Sequence, residues 1–221
     1  MCIKRKAEMF SLGVVLVSFA LAVYFYPIMP DKIASHWNIN GQVDGYMDKL
    51  WALFLMPIVS ALLLLMFLAI PRIDPLKENI KKFRSYFDGF IMLIMLFLLY
   101  VFLLTIFWTR GVRFDMGQVL SPAFGILFYY AGILIENAKR NWFIGIRTPW
   151  TISNEAVWDR THELGGKLFK LAGIIAVFGV FSYYSFYLVL VPVILFAAYL
   201  FVYSYFEFQK EMMKKPKKKK K

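Results

Sequence analysis

Cysteine is almost missing from this sequence. Cys2 is the single one among 221 residues, which excludes an internal disulfide and any multi-cysteine metal site. Histidine is nearly as scarce, with only His36 and His162. Charge is thin as well: 18% of residues are charged and 60% are hydrophobic, against about 25% and 45–50% in a soluble domain. One small core cannot hold that apolar excess, because buried volume is limited by surface-to-volume scaling. Lipid can.

Charge is also missing in long runs. Uncharged stretches lie between Glu8 and Asp31, Lys49 and Arg72, Asp88 and Arg110, and Asp115 and Glu136. Each holds about 20 residues, one helical crossing of a 30 Å hydrocarbon layer. The run from Lys170 to Glu207 holds 36 uncharged residues between its ends and fits two helices with a tight turn near Tyr183-Tyr184-Ser185. Inside lipid, backbone amides must pair within their own segment, so these runs are expected to be α-helices. The expected fold class is an all-α integral membrane protein with six transmembrane helices, near 7–26, 50–70, 89–108, 119–136, 168–183 and 187–206. The first is read as a spanning helix and not a cleaved leader, since Tyr24-Phe25-Tyr26-Pro27 lacks small residues for cleavage. Pro27 and Pro30 are expected to end that helix and Pro71 and Pro75 the second. Gly173 and Gly179 would permit close helix contact.

Lys and Arg accumulate in cytoplasmic loops. With six crossings, 22 of the 26 Lys and Arg fall on one side, leaving Lys32, Lys49, Arg110 and Arg113 on the other. The basic side, with both termini, is therefore expected in the cytoplasm of a cell-membrane protein. Residues 1–110 form an N-terminal three-helix half and 111–208 a C-terminal half. Residues 209–221 form a basic, disordered tail, expected to lie on anionic lipid headgroups and not on nucleic acid.

Two loops exceed plain linkers. The external one, Pro30 to Lys49, carries the turn dipeptides Asn40-Gly41 and Asp44-Gly45. Folding back there would bring His36, Trp37, Asp44 and Tyr46 together as a recognition surface; alternatively the loop is solvated and its rings simply sit at the interface. The cytoplasmic one runs from Asn141 to Gly166. Thr148 precedes proline and should be extended. Ser153 or Asn154 is placed to cap a short helix whose Val157, Trp158, Thr161 and Leu164 share one face, with Gly165-Gly166 as its terminator. That predicts a short interfacial amphipathic helix in the fourth loop, either a quiet link or a specific surface such as Arg147 stacked on an indole near Pro149-Trp150.

At these loops the chain resembles the SdpI family of membrane immunity proteins, through IASHWNINGQVDGYMDK at 33–49 and NWFIGIRTPWTISNEAVWDRTHELGG at 141–166. The resemblance implies protection against an apolar, membrane-active peptide toxin, captured outside, with a small winged-helix repressor held at the membrane inside. It implies a toxin-binding surface of His36, Trp37, Asn38, Gly41, Asp44 and Tyr46, and a repressor-binding surface of Arg147, Thr148, Pro149, Trp150, Trp158 and His162. The Lys-rich end is outside the shared pattern.

Other chemistries find little support. His36 and His162 are expected on opposite faces of a bilayer about 30 Å thick, so they cannot share an ion; no metal or other cofactor is expected, a site of His36 with Asp31, Asp44 or Asp48 being the alternative. Ser35-His36 and Thr161-His162 are adjacent pairs without the nucleophile–base–acid arrangement of catalysis, so no catalytic residue is assigned and the chain is not expected to be an enzyme. Ionisable groups are missing from the helix centres, which argues against a proton-driven pump; Glu136 is expected to pair with Lys139 or Arg140. A transporter or flippase of an apolar or lipid-like small molecule is the alternative to immunity.

Overall fold

The computed structural model describes residues 2–214. Among them, six helices are long and apolar enough to cross a membrane, and the protein is an all-α, multi-pass membrane protein. In chain order the elements are α1 (Cys2–Phe25), β1 (Lys32–Trp37), β2 (Val43–Asp48), α2 (Lys49–Ile73), α3 (Lys77–Lys82), α4 (Arg84–Thr109), α5 (Met116–Asn137), α6 (Pro149–Ser153), α7 (Glu155–Val177) and α8 (Ser185–Lys214). A 3-10 turn at Tyr26–Ile28 follows α1 at the first prolines, and another at Phe178–Phe181 follows α7. The last two spans are joined through 182–184, where the tight turn was expected. The Lys run from 215 onward lies outside the described residues. Before it, α8 continues unbroken to Lys214, so the tail does not begin at 209.

Helices α1, α2 and α4 form one half and α5, α7 and α8 the other. The halves share an apolar core near the basic end, where Phe83, Phe87 and Ile91 meet Leu134, Ile144 and Trp158. A second cluster near the hairpin end joins Ala22, Leu53, Phe102 and Ile106 to Ile33 of the hairpin. At mid-span the halves touch through Phe97 and Phe124, ring centroids 4.9 Å apart, and the Tyr100 hydroxyl donates to the Val119 carbonyl at 2.9 Å.

Two glycine pairs set how α5 and α7 pack. A Cβ on Gly125 would lie 2.8 Å from the Gly173 carbonyl oxygen, and one on Gly132 would lie 2.7 Å from that of Gly166. Both pairs are seven residues apart, two helical turns on antiparallel helices, so the backbones meet along one straight seam. Ser121 extends the seam with a 3.0 Å hydrogen bond to the Ala176 carbonyl.

That seam corrects the expectation for the fourth loop. Gly165-Gly166 does not end a helix: α7 runs straight through it, because the glycines face Ile146 and α5 and have no positive φ. The short helix of this loop is instead α6, closed by a capping box between Thr148 and Thr151. Asn154 does cap the next helix, accepting the N–H groups of Ala156 and Val157, but that helix is the fifth span itself. Glu136 also departs from expectation. It pairs across the α5–α7 contact with Lys170 at 2.7 Å.

Candidate functional site

The Pro30–Lys49 loop folds as a two-stranded antiparallel hairpin, with Lys32 opposite Asp48, Ala34 opposite Tyr46 and His36 opposite Gly45. Asn38 closes its tip. Its side-chain oxygen accepts the N–H groups of Asn40 and Gln42, at 2.9 and 3.0 Å, an Asx turn that leaves Gly41 at φ +73°. The second turn dipeptide turns nothing: Gly45 sits inside β2, where a Cβ would lie 2.9 Å from that of His36. An irregularity in the ladder between Ala34 and Trp37 lets Ile33 and Ala34 both point into the protein while Ser35 and His36 stay exposed.

Two contacts fix this hairpin over the helices, and a third ties its own strands together. Trp37 meets Trp108, at the end of α4, edge to face at 5.7 Å, and the Arg113 guanidinium covers the Trp108 ring at 3.8 Å. Gly41 abuts Asp115, the residue whose carboxylate caps α5 through the Gln118 N–H at 2.9 Å. His36 Nδ1 lies 2.5 Å from Asp44 Oδ1, on the exposed side.

Beneath the tip lies a cleft of about 240 Å3 between the two halves. His36, Trp37, Asn38 and Gly41 form its roof, and Met56, Val101, Leu120 and Phe186 form its apolar wall. Four of the six residues assigned to the external surface thus converge. Asp44 joins through its bond to His36. Tyr46 does not line the cleft and is 62% exposed. The wall residues were illegible in sequence, since one apolar residue of a spanning helix looks like any other. Arg113 and Asp115 were visible only as charges in a short loop.

At the basic end, the segment from Asn141 to Thr151 is a fixed plug. Asn141 is buried; its amide donates to the carbonyls of Lys139 and Ile144, and its oxygen accepts the N–H groups of Phe143 and Ile144. Asp74, beyond the end of α2, accepts the Trp142 N–H at 2.9 Å, and Asn79 donates to the Arg140 carbonyl, so both halves hold the loop. Trp158 donates from its indole to the Ala138 carbonyl at 2.8 Å and stacks on His162, ring centroids 3.8 Å apart. The Ile146 N–H donates to His162 Nε2, so Nδ1 must carry the proton of a neutral ring and donate to the Trp158 carbonyl. Gly145, at φ +113°, packs against that imidazole.

The expected inner surface therefore divides. Arg147 and Pro149 are exposed, while Trp150 is half-buried against Phe201 and Tyr205. Thr148, Trp158 and His162 are buried; they build the plug and offer no face to a partner. Arg147 stacks on no indole but donates to the Trp142 carbonyl. Trp142 and Phe143 are the exposed aromatic side chains of this loop. Among the described residues no three His, Cys, Asp or Glu converge as metal ligands.

Comparison with known proteins bears on both ends. Residues 137–204, from the end of α5 through the plug, α7 and most of α8, match the SdpI/YfhL protein family. Residues 13–61, which contain the hairpin, match a domain of unknown function (DUF1648). The immunity protein SdpI of Bacillus subtilis (strain 168) is 25% identical over 208 residues, covering 94% of this chain and 98% of that protein. Over these residues the chain is similar to the SdpI family. No solved structure matches it.

Proposed function

We propose that this chain is a membrane immunity protein of the SdpI family that captures an apolar, membrane-active peptide toxin at the hairpin face, with that face outside the cell. The observation that carries the reading is the cleft under the hairpin tip, apolar along its helical walls and rimmed by Ser35, His36 and Asn38. An apolar segment gains by leaving the headgroup region for such a wall. The His36–Asp44 pair and the exposed backbone of the tip then meet its polar parts. No bond is made or broken in this process.

The same reading places a transcriptional repressor at the opposite end, on Arg147, Pro149, Trp142 and Phe143. Because Asp74 and Asn79 tie the plug to the first half, strain at the hairpin cleft has a mechanical route to that surface. Photo-crosslinking from position 39, exposed at the tip, tests capture in native membranes. Wild type is expected to yield a crosslinked peptide, and Leu120→Trp, which fills the cleft from its wall, to lose both the adduct and protection while inserting normally. A Leu120→Trp protein that still protects would rule out the cleft as the capture site.

One observation favours a second reading. A further apolar cleft lies between the same halves near the basic end, as expected of a carrier of apolar small molecules with one opening at each face. Substrate flux in proteoliposomes, independent of any toxin, would support that alternative.

A further inference from the structure

The cleft near the basic end differs in chemistry from the one beneath the hairpin. It measures about 300 Å3 and separates Met66, Phe67 and Phe90 of the first half from Leu134, Phe143 and Phe169 of the second. All its lining residues are apolar or glycine. The loop amides in its wall are already used: those of Phe143 and Ile144 bind Asn141, and that of Ile146 binds His162. Water held in a cavity needs two to four polar partners, and these three amides are not free to supply them. So apolar a wall suits hydrocarbon better than water.

Two guanidinium groups follow wall residues in the chain, Arg72 two positions after Ile70 and Arg147 directly after Ile146. Arg72, in the last turn of α2, is exposed and turns back along its helix to donate to the Leu68 carbonyl, beside Phe67. Arg147 is exposed and donates to the Trp142 carbonyl, beside Phe143. Arg84, Arg160, Lys167 and Lys170 each have a carboxylate partner. Neither Arg72 nor Arg147 has one among the described residues, and each keeps free donors in a fork that matches a phosphate.

We propose that this cleft is a binding site for an anionic phospholipid, one acyl chain lying between the two halves and its phosphate held by Arg72 and Arg147. The site is distinct from the hairpin cleft and does not depend on toxin capture. A chain seated there would brace the first half against the Phe143–Ile146 wall, and so the plug that carries the inner surface.

The test uses the full chain purified in detergent, with native mass spectrometry counting lipid retained from phosphatidylglycerol or phosphatidylcholine of identical chains. Wild type should retain phosphatidylglycerol preferentially. Joint Arg72→Gln and Arg147→Gln should cut that retention about thirtyfold, the expected effect of removing two cationic contacts at a membrane surface. Ala131→Phe, which fills the cleft, should lower it with both arginines present. Should Ala131→Phe not insert, wild type alone decides through chain length: long-chain phosphatidylglycerol should outcompete a short-chain form with the same headgroup. Equal retention of the two headgroups, no effect of the arginine changes, retention by the filled variant equal to wild type, or indifference to chain length would each overturn the site.

Discussion

Gly132 of α5 and Gly166 of α7 meet backbone to backbone: a Cβ on Gly166 would lie 2.9 Å from the Gly132 carbonyl oxygen and 2.6 Å from the Glu136 Cβ. Atoms of a helix backbone cannot move aside as a flexible side chain does. Gly166→Ala should therefore destabilise the second half by about 1–3 kcal/mol, the usual cost of overpacking, despite alanine's better helix propensity. Gly166→Ile should cost more. Gly13→Ala, whose new methyl would meet nothing within 4 Å, serves as the neutral control. Thermal unfolding in detergent measures all three.

Trp158 and His162 should act as parts of one unit. Trp158→Phe removes the donor to the Ala138 carbonyl and leaves a buried acceptor unpaired, at about 1–3 kcal/mol. His162→Phe does the same to the Ile146 N–H. Because both changes loosen the same plug, the double variant should cost less than the two single effects added. Additive losses in a double-mutant cycle would mean that the two side chains stabilise the loop independently.

Gly41 should tolerate no side chain. At φ +73° an alanine is strained, and its Cβ would lie 2.6 Å from Asp115 Oδ2. Gly41→Ala is expected to lift the hairpin tip from the α5 cap, reducing protection and crosslinking from position 39 while leaving membrane insertion unchanged. Full protection by this variant would detach hairpin docking from function.

The His36–Asp44 pair is exposed, with side chains 70% and 46% accessible. Such pairs contribute about 0–1 kcal/mol, so Asp44→Asn should barely change stability. A severalfold loss of peptide crosslinking without a shift in the unfolding temperature would assign the pair to recognition. Loss of stability alone would assign it to holding the hairpin.

Sidedness is testable because cysteine is so rare. In a Cys2→Ser background, Ile39→Cys should react with an impermeant maleimide on intact cells. Trp142→Cys should react only after permeabilisation. Labelling of both from one side would contradict the orientation given by the Lys and Arg bias.

The spans were legible because lipid leaves a chain few choices. A run of about 20 uncharged residues has one low-cost conformation there, so the run ending at Arg72 became α2 and the run from Asp88 became α4. The hairpin was legible in part. Asn40-Gly41 turned as a turn dipeptide should, whereas Asp44-Gly45 became a strand position opposite His36.

What the sequence by itself determined is how many times the chain crosses the membrane and which residues stand outside lipid, since both follow from transfer energies summed over local runs. Only the tertiary structure decided the meaning of Gly165-Gly166, the partner of Glu136, and the burial of Trp158 and His162. Each depends on which helix lies opposite. A glycine that would end an isolated helix instead admits a neighbouring backbone, and the polar side chains of the inner loop turn inward because its own amides require them.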